Sequence, residues 1–210
     1  MNLGATPIAG LNLVSHARTG YSDWLLILLH GYGSNESDLF ALGETIAPPT
    51  DILAIRAQLE LGPGQYAWFP LEWTEDGVSW QDADVIGAMT RLSVQIASVY
   101  RPRRTILGGF SQGGMMALGL AEHEPSAYAG VLALSSRYPF GEVAPKRVLP
   151  PTYLQHGTED EIIPFGEFRR TESALSQSGT PLTSHAFEMG HEIRRECIAP
   201  IRAWLTEIAK

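Results

Sequence analysis

The sequence predicts an α/β fold, with a mostly parallel central sheet, helices on both of its faces and no large lid domain. Three observations lead there. Strand-like and helix-like runs alternate from about Trp24 to the carboxyl terminus, the pattern of a parallel sheet covered by helices. The strand-like runs are short and apolar throughout, without the polar alternation of a half-exposed sheet, so both faces should be covered. Each is followed by a glycine, polar or proline-rich turn.

Taken in order, the buried strands are Trp24 to Leu29, Asp51 to Ala57, Thr105 to Leu107, Val131 to Leu134 and Tyr153 to Gln155. Weaker signals at Leu11 to Ala17 and Leu182 to Phe187 read as edge strands. The first helix is Glu36 to Ile46, which Asn35 can cap and Pro48-Pro49 ends. In Asp82 to Tyr100, apolar Val85, Ile86, Met89, Leu92, Ile96, Val99 and Tyr100 share one face of a 3.6-residue period, and Arg101-Pro102 stops the run. Further helices read as Gln112 to His123, Phe165 to Gln177 and Glu192 to Ile208. Gln58 to Gln81 breaks the alternation: it holds Trp68, Phe69, Trp73 and Trp80 among glycines and prolines with no clean period. Connections of that length are uncommon in compact domains and are often functional.

Nothing in the 210 residues reads as a linker, repeat or low-complexity tract, so one domain spanning 1–210 is expected. The formal charge of −8 would repel phosphate backbones and anionic lipid surfaces, which argues against nucleic acid as a partner. The longest uninterrupted apolar stretch, Trp24 to Leu29, is too short to span a bilayer, and the amino terminus lacks the pattern of a secretory signal. No membrane insertion is expected. A single cysteine, Cys197, rules out an internal disulfide and a thiolate metal cluster, which fits a reducing cytoplasmic location. No two histidines show helical i, i+4 ligand spacing, so neither a metal nor another cofactor is expected. A homodimer is compatible with this reading.

Gly109-Phe110-Ser111-Gln112-Gly113 matches G-x-S-x-G, in which flanking glycines let a sharp strand-to-helix turn expose a serine hydroxyl. So short a pattern recurs by chance, and its context carries the weight: a buried strand precedes it and a helix follows. The start of that helix offers N–H groups to developing negative charge. A serine nucleophile requires a base. Of six histidines, His30 and His156 each precede glycine directly after an apolar strand, His123 closes a helix, and His16 and His185 sit in or beside weak strands. His191 lies in a turn after the last strand and before the last helix, where an imidazole can reach over the nucleophile. The third member is a carboxylate that follows a strand between serine and histidine; Asp160 fits best, with Glu159 and Glu161 as competitors that the pattern does not separate. His30-Gly31-Tyr32-Gly33 follows the strongest strand, where a first oxyanion donor would come from the backbone.

Leu29-His30-Gly31-Tyr32-Gly33, Gly108 to Gly114, His156-Gly157-Thr158-Glu159-Asp160 with Ile163-Pro164, and Met189-Gly190-His191-Glu192 together resemble the phospholipase/carboxylesterase family, which includes acyl-protein thioesterases. The resemblance covers almost the whole chain, in order and at compatible spacing. It implies an α/β-hydrolase fold, a triad of Ser111, Asp160 and His191, and an oxyanion hole formed by the backbone N–H groups of Tyr32 and Gln112. It also implies hydrolysis of a small-molecule ester, thioester or lysophospholipid through an acyl-enzyme. Two departures bear on substrate. Members commonly carry an aspartate soon after the Trp-Phe pair, whereas this chain continues Trp68-Phe69-Pro70-Leu71-Glu72-Trp73; many have Ser-Gly where this chain has Ser135-Ser136-Arg137. Trp68, Phe69 and Trp73 are expected to wall an apolar substrate cleft. The rival readings are a peptidase or acyltransferase on the same fold, and a non-catalytic binding protein.

Overall fold

The computed structural model describes residues 15–18, 23–47, 50–74, 77–99, 104–141 and 144–210. Along the chain run β1 (Ser15–Arg18), β2 (Trp24–Leu29), α1 (Glu36–Ile46), β3 (Asp51–Ile55), β4 (Leu59–Gly62), β5 (Gln65–Ala67), β6 (Glu72–Thr74), β7 (Gly77–Ser79) and α2 (Asp82–Val99). They are followed by β8 (Arg104–Phe110), α3 (Gln112–His123), a 3₁₀ turn at Pro125–Ala127, β9 (Gly130–Leu134), β10 (Thr152–Gly157), α4 (Phe165–Gln177), β11 (Leu182–Phe187) and α5 (Arg195–Ile208).

The main sheet has the order β1-β3-β2-β8-β9-β10-β11. β1 runs antiparallel to β3, and every other pairing is parallel. The apolar strands alternate after all, but between two buried faces. Leu25, Ile27 and Leu29 of β2 join Leu53 and Ile55 under α2, α3 and α4. Leu26 and Leu28 join Ile52, Ala54, Ile106, Leu132 and Leu134 under α1 and α5. A strand with apolar neighbours above and below has no place for polar residues, which is why the run reads as unbroken. Helix α3 is buried on nearly every side, from Gln112 to Ala121, as a helix apolar all round must be.

Strands β2 and β8 are neighbours, yet the chain leaves β2 toward β3 on one side and resumes with β8 on the other. Connections diverge at this switch point and open a crevice beyond the carboxyl ends of the two strands. Gly31, Tyr32 and Ser111 lie there.

The helices fall close to where periodicity put them, with α5 starting at Arg195 rather than Glu192. The edge strands β1 and β11 are also present, while Leu11 to Val14, the Pro48-Pro49 stop, Tyr100 and Arg101-Pro102 lie outside the described residues. The segment read as lacking a period holds two small hairpins, β4-β5 and β6-β7. Strands of three or four residues are too short for a period-2 pattern to stand out. Among the described residues, no helix is long and apolar enough to cross a membrane.

Candidate active site

Ser111 sits between β8 and α3 with φ 53° and ψ −120°, a backbone geometry that costs a non-glycine residue roughly 1–3 kcal/mol and persists only where its surroundings enforce it. The enforcement is visible. The Ser111 N–H donates to Leu134 O at 2.9 Å, and its carbonyl accepts from Gly114 N–H at 2.9 Å. Ser136 Oγ donates to the same carbonyl at 2.7 Å. The two motif glycines are steric requirements: a Cβ on Gly109 would overlap the Gly113 backbone, and one on Gly113 would overlap the Leu29 carbonyl. The turn can therefore pack tightly between β2 and α3 only with glycine at both places.

His191 Nε2 lies 2.9 Å from Ser111 Oγ, and His191 Nδ1 lies 2.7 Å from Asp160 Oδ2. A carboxylate can only accept, so Nδ1 carries the ring proton and Nε2 is left to accept from the serine hydroxyl. Asp160 is 5% exposed, whereas Glu159 and Glu161 are exposed to solvent. Asp160 Oδ1 accepts the N–H groups of Ile162 at 2.9 Å and Ile163 at 2.8 Å. Burial by itself pushes the Asp160 carboxyl up, but the hydrogen bonds from His191 and from the Ile163 N–H outweigh it and hold the group below the ordinary carboxylate range. The loops carrying Asp160 and His191 are stitched together, since Thr158 N–H donates to Phe187 O at 2.8 Å and Glu159 N–H to Met189 O at 3.1 Å. The Phe110 ring lies 4.9 Å from the imidazole and steadies its other side.

Gln112 and Tyr32, the predicted oxyanion donors, flank the serine. As the first residue of α3, Gln112 has no intrahelical acceptor for its N–H, and the Tyr32 N–H meets no acceptor among the described residues. The Tyr32 loop is held by its neighbours. Gly33 N–H donates to Tyr66 O at 2.9 Å, Asn35 caps α1 by accepting from Ser37 N–H at 2.9 Å, and Arg56 grips buried Glu36 through two bonds of 2.6 Å.

Sequence reasoning did not find the supporting polar groups. The Gln112 side chain accepts from Trp68 N–H at 2.9 Å and donates to Phe69 O at 2.8 Å, binding the aromatic segment to the residue beside Ser111. His30 is fully buried: its Nε2 accepts from Ala57 N–H at 3.0 Å, so its Nδ1 donates to Gly31 O at 2.7 Å. His156, also fully buried, places Nε2 2.7 Å from Ile163 O and 3.3 Å from Asp160 Oδ2. A motif names these residues without telling which backbone group each will meet; their place directly after an apolar strand was the available signal.

Burial lowers the pKa of both His30 and His156 from the ordinary 6.5. The folded state thus binds fewer protons than the unfolded state below that pH, and stability should be full above about pH 6.5 and decline as pH falls toward the folded values. The urea midpoint is expected to drop between pH 7.5 and pH 5.5, and to drop less in His30→Gln; equal midpoints at the two pH values in the unaltered protein would contradict this.

The aromatic expectations are partly corrected. Trp68 and Phe69 border neither cavity beside Ser111. Trp68 is 6% exposed and donates from Nε1 to His30 O at 2.8 Å, and Phe69 is core, packed 6.1 Å from Trp80. Their bulk serves the core because Gln112 draws their backbone inward. Trp73 does border a cavity of about 430 Å³, together with Leu71, Val78 and Trp80. Arg137, in the Ser135-Ser136-Arg137 segment that departs from the family pattern, braces that wall: it stacks 4.2 Å from Trp80, donates to Val78 O at 3.2 Å and pairs with Glu167 at 3.1 Å.

Residues 16–208 match the phospholipase/carboxylesterase family. The chain belongs to that family. Within it, the protein is 29% identical over 179 residues to esterase YpfH of Escherichia coli, covering 80% of this chain and 76% of that one. It is 28% identical over 160 residues to acyl-protein thioesterase 1 of Neurospora crassa, with 69% and 65% covered. The crystal structure of esterase PE8 superposes with a TM-score of 0.83 at 29% identity, covering 94% of this chain and all of that one. The α/β-hydrolase fold is therefore shown, and this phospholipase/carboxylesterase family member is a hydrolase of the esterase and thioesterase type. Among its described residues, no group of three or more His, Cys, Asp or Glu side chains is arranged to hold a metal ion.

Proposed function

We propose that the protein is a serine esterase acting on carboxylic esters, with thioesters and lysophospholipids as related substrates, through a Ser111-His191-Asp160 triad. The observation that carries this reading is the unbroken run of hydrogen bonds from Ser111 Oγ through both nitrogens of His191 to Asp160. Three residues distant in sequence meet with the donor and acceptor order that acyl transfer needs.

In this reading, Ser111 Oγ bonds to the substrate carbonyl carbon as Nε2 takes its proton, and charge moves to the carbonyl oxygen. The N–H groups of Tyr32 and Gln112 face that oxyanion; each such donor is worth about 3 kcal/mol to the transition state. The carbon–oxygen or carbon–sulfur bond then breaks, and the alcohol or thiol leaves with the proton held on Nε2. Water repeats the steps on the acyl-enzyme, giving up a proton to His191 and releasing the acid and free Ser111. Asp160 stays ionised and stabilises the imidazolium, a role its lowered pKa supports. The substrate is a small molecule, and the one domain acts without a metal or other cofactor.

The test is covalent. A fluorophosphonate probe should label the protein at Ser111, and p-nitrophenyl butyrate should be hydrolysed and should compete with labelling. A protein that turns over none of a panel of esters and thioesters and leaves Ser111 unlabelled is a binding protein on a hydrolase scaffold. Acyl transfer to an added alcohol in preference to water would instead make it an acyltransferase.

A further inference from the structure

Ser111 and His191 stand on a divide. On one side is the cavity of about 430 Å³ walled by the aromatic hairpins. On the other is a groove of about 700 Å³ between α1 and α5. Tyr32, Ser111 and His191 border both, and both volumes fall within the range of roughly 300–1,000 Å³ usual for small-molecule sites. We infer that the α1/α5 groove is the leaving-group subsite and takes an aliphatic alcohol or thiol chain, leaving the hairpin cavity to the acyl part.

Chemistry, composition and shape agree on this division. Nothing in the acyl-transfer residues requires the groove, yet its floor is apolar: Leu39 and Leu42 from α1 face Ile193 and Ile198 beside and within α5. Phe110, whose ring lies against the imidazole, forms the end next to Ser111. Three charged side chains border the groove, all of them at its exposed edges: Asp38 accepts from Ser34 Oγ at 2.7 Å, Arg194 is held by Glu192 at 2.7 Å and Glu188 O at 3.1 Å, and Arg195 stands exposed at the start of α5. Recognition along the floor is therefore by burial rather than by ion pairing. The segment that carries His191 continues into Ile193 and Ile198, so the apolar floor begins two residues beyond the imidazole that borders both cavities.

The groove is also the more open of the two sites. After the first step the acyl group remains bonded to Ser111 while the alcohol must leave and water must enter. The open side suits the part that departs, and the enclosed side suits the part that stays. Each further methylene buried in the groove should raise kcat/KM about two- to fourfold until the groove is filled.

This inference rests on the esterase reading, and the experiment separates the two. Ala41 and Thr45 border the groove and are exposed on α1, so Ala41→Trp, or Thr45→Trp if the first variant does not fold, narrows it without touching Ser111, His191 or Asp160. Two ester series are compared: butyrates of ethanol, hexanol and decanol, and ethyl esters of butyric, hexanoic and decanoic acids. The unaltered protein should prefer the longer alcohols. The tryptophan variant should lose tenfold or more in kcat/KM on hexyl and decyl butyrate, through KM, while ethyl butyrate and the acyl-length series stay within twofold. Selective loss of the acyl-length preference would assign the groove to the acyl chain and overturn the inference, as would no change in either series. An unaltered protein that hydrolyses neither series and leaves Ser111 unlabelled removes the esterase reading and this subsite with it.

Discussion

Asp160→Asn is expected to lower kcat on an ester substrate by about 10⁴, the loss that follows when the base is held in the wrong tautomer. The local hydrogen bonds dictate how. Asp160 Oδ1 accepts two backbone N–H groups, from Ile162 and Ile163, so an asparagine must keep its carbonyl oxygen there. Its NH₂ then takes the place of Oδ2 and points a donor at His191 Nδ1. To meet it, Nδ1 must become the acceptor, and the ring proton moves to Nε2, the atom that has to accept from Ser111. The nucleophile loses its base although every heavy atom can stay in place. Glu159→Gln should remain within threefold because its side chain is exposed, and Glu161→Gln, exposed but bordering the hairpin cavity, should keep kcat within tenfold. A loss below tenfold for Asp160→Asn, or a comparable loss for either glutamine variant, would move the orienting role to another acid. Steady-state kinetics with matched thermal melts decides the matter.

Ser111→Ala should abolish the acyl-enzyme and lower kcat by on the order of 10⁶, with fluorophosphonate labelling lost. Residual activity above about a hundredth of the unaltered protein's would identify a different nucleophile. The same position links function to stability. Alanine inherits the φ of 53° and the cost of that geometry, whereas glycine adopts it freely. Ser111→Gly should therefore be as inactive as Ser111→Ala yet more stable than it by about 1–2 kcal/mol, read from urea midpoints. A Ser111→Gly protein less stable than Ser111→Ala would show that the turn is not strained. On the proposed esterase reading, the serine persists in a costly conformation because a hydroxyl at that point is worth more to the chemistry than the strain costs the fold.

Much of this architecture was legible in local pattern. The unbroken apolar character of Trp24 to Leu29 and Val131 to Leu134 implied strands covered on both faces, and the spacing from Val85 to Ile96 implied α2. Gly109 and Gly113 announced the turn, since no other residue fits against the Gly113 and Leu29 backbone. Chain order pointed to His191 as base. The hairpins at Leu59–Ala67 and Glu72–Ser79 stayed hidden because their strands are too short for a period to register. Trp68 and Phe69 were misplaced at the cleft for a different reason. Aromatic rings serve a core and a pocket equally well, and what draws these two inward is the amide of Gln112, 43 and 44 residues away.

Sequence alone thus determined which residue types could do acyl chemistry and on what kind of sheet, because periodicity, turn glycines and chain order are properties of near neighbours. Only the tertiary structure decided which of three adjacent acids faces His191, which way the buried histidines turn, and that two cavities rather than one meet at Ser111. Apart from the bond between His156 and Ile163, those outcomes depend on groups far apart in the chain, such as His30 with Ala57, Asp160 with His191 and α1 with α5; their meeting follows from how β2, β8, β10 and the loops beyond them pack, and no local pattern of residues encodes it.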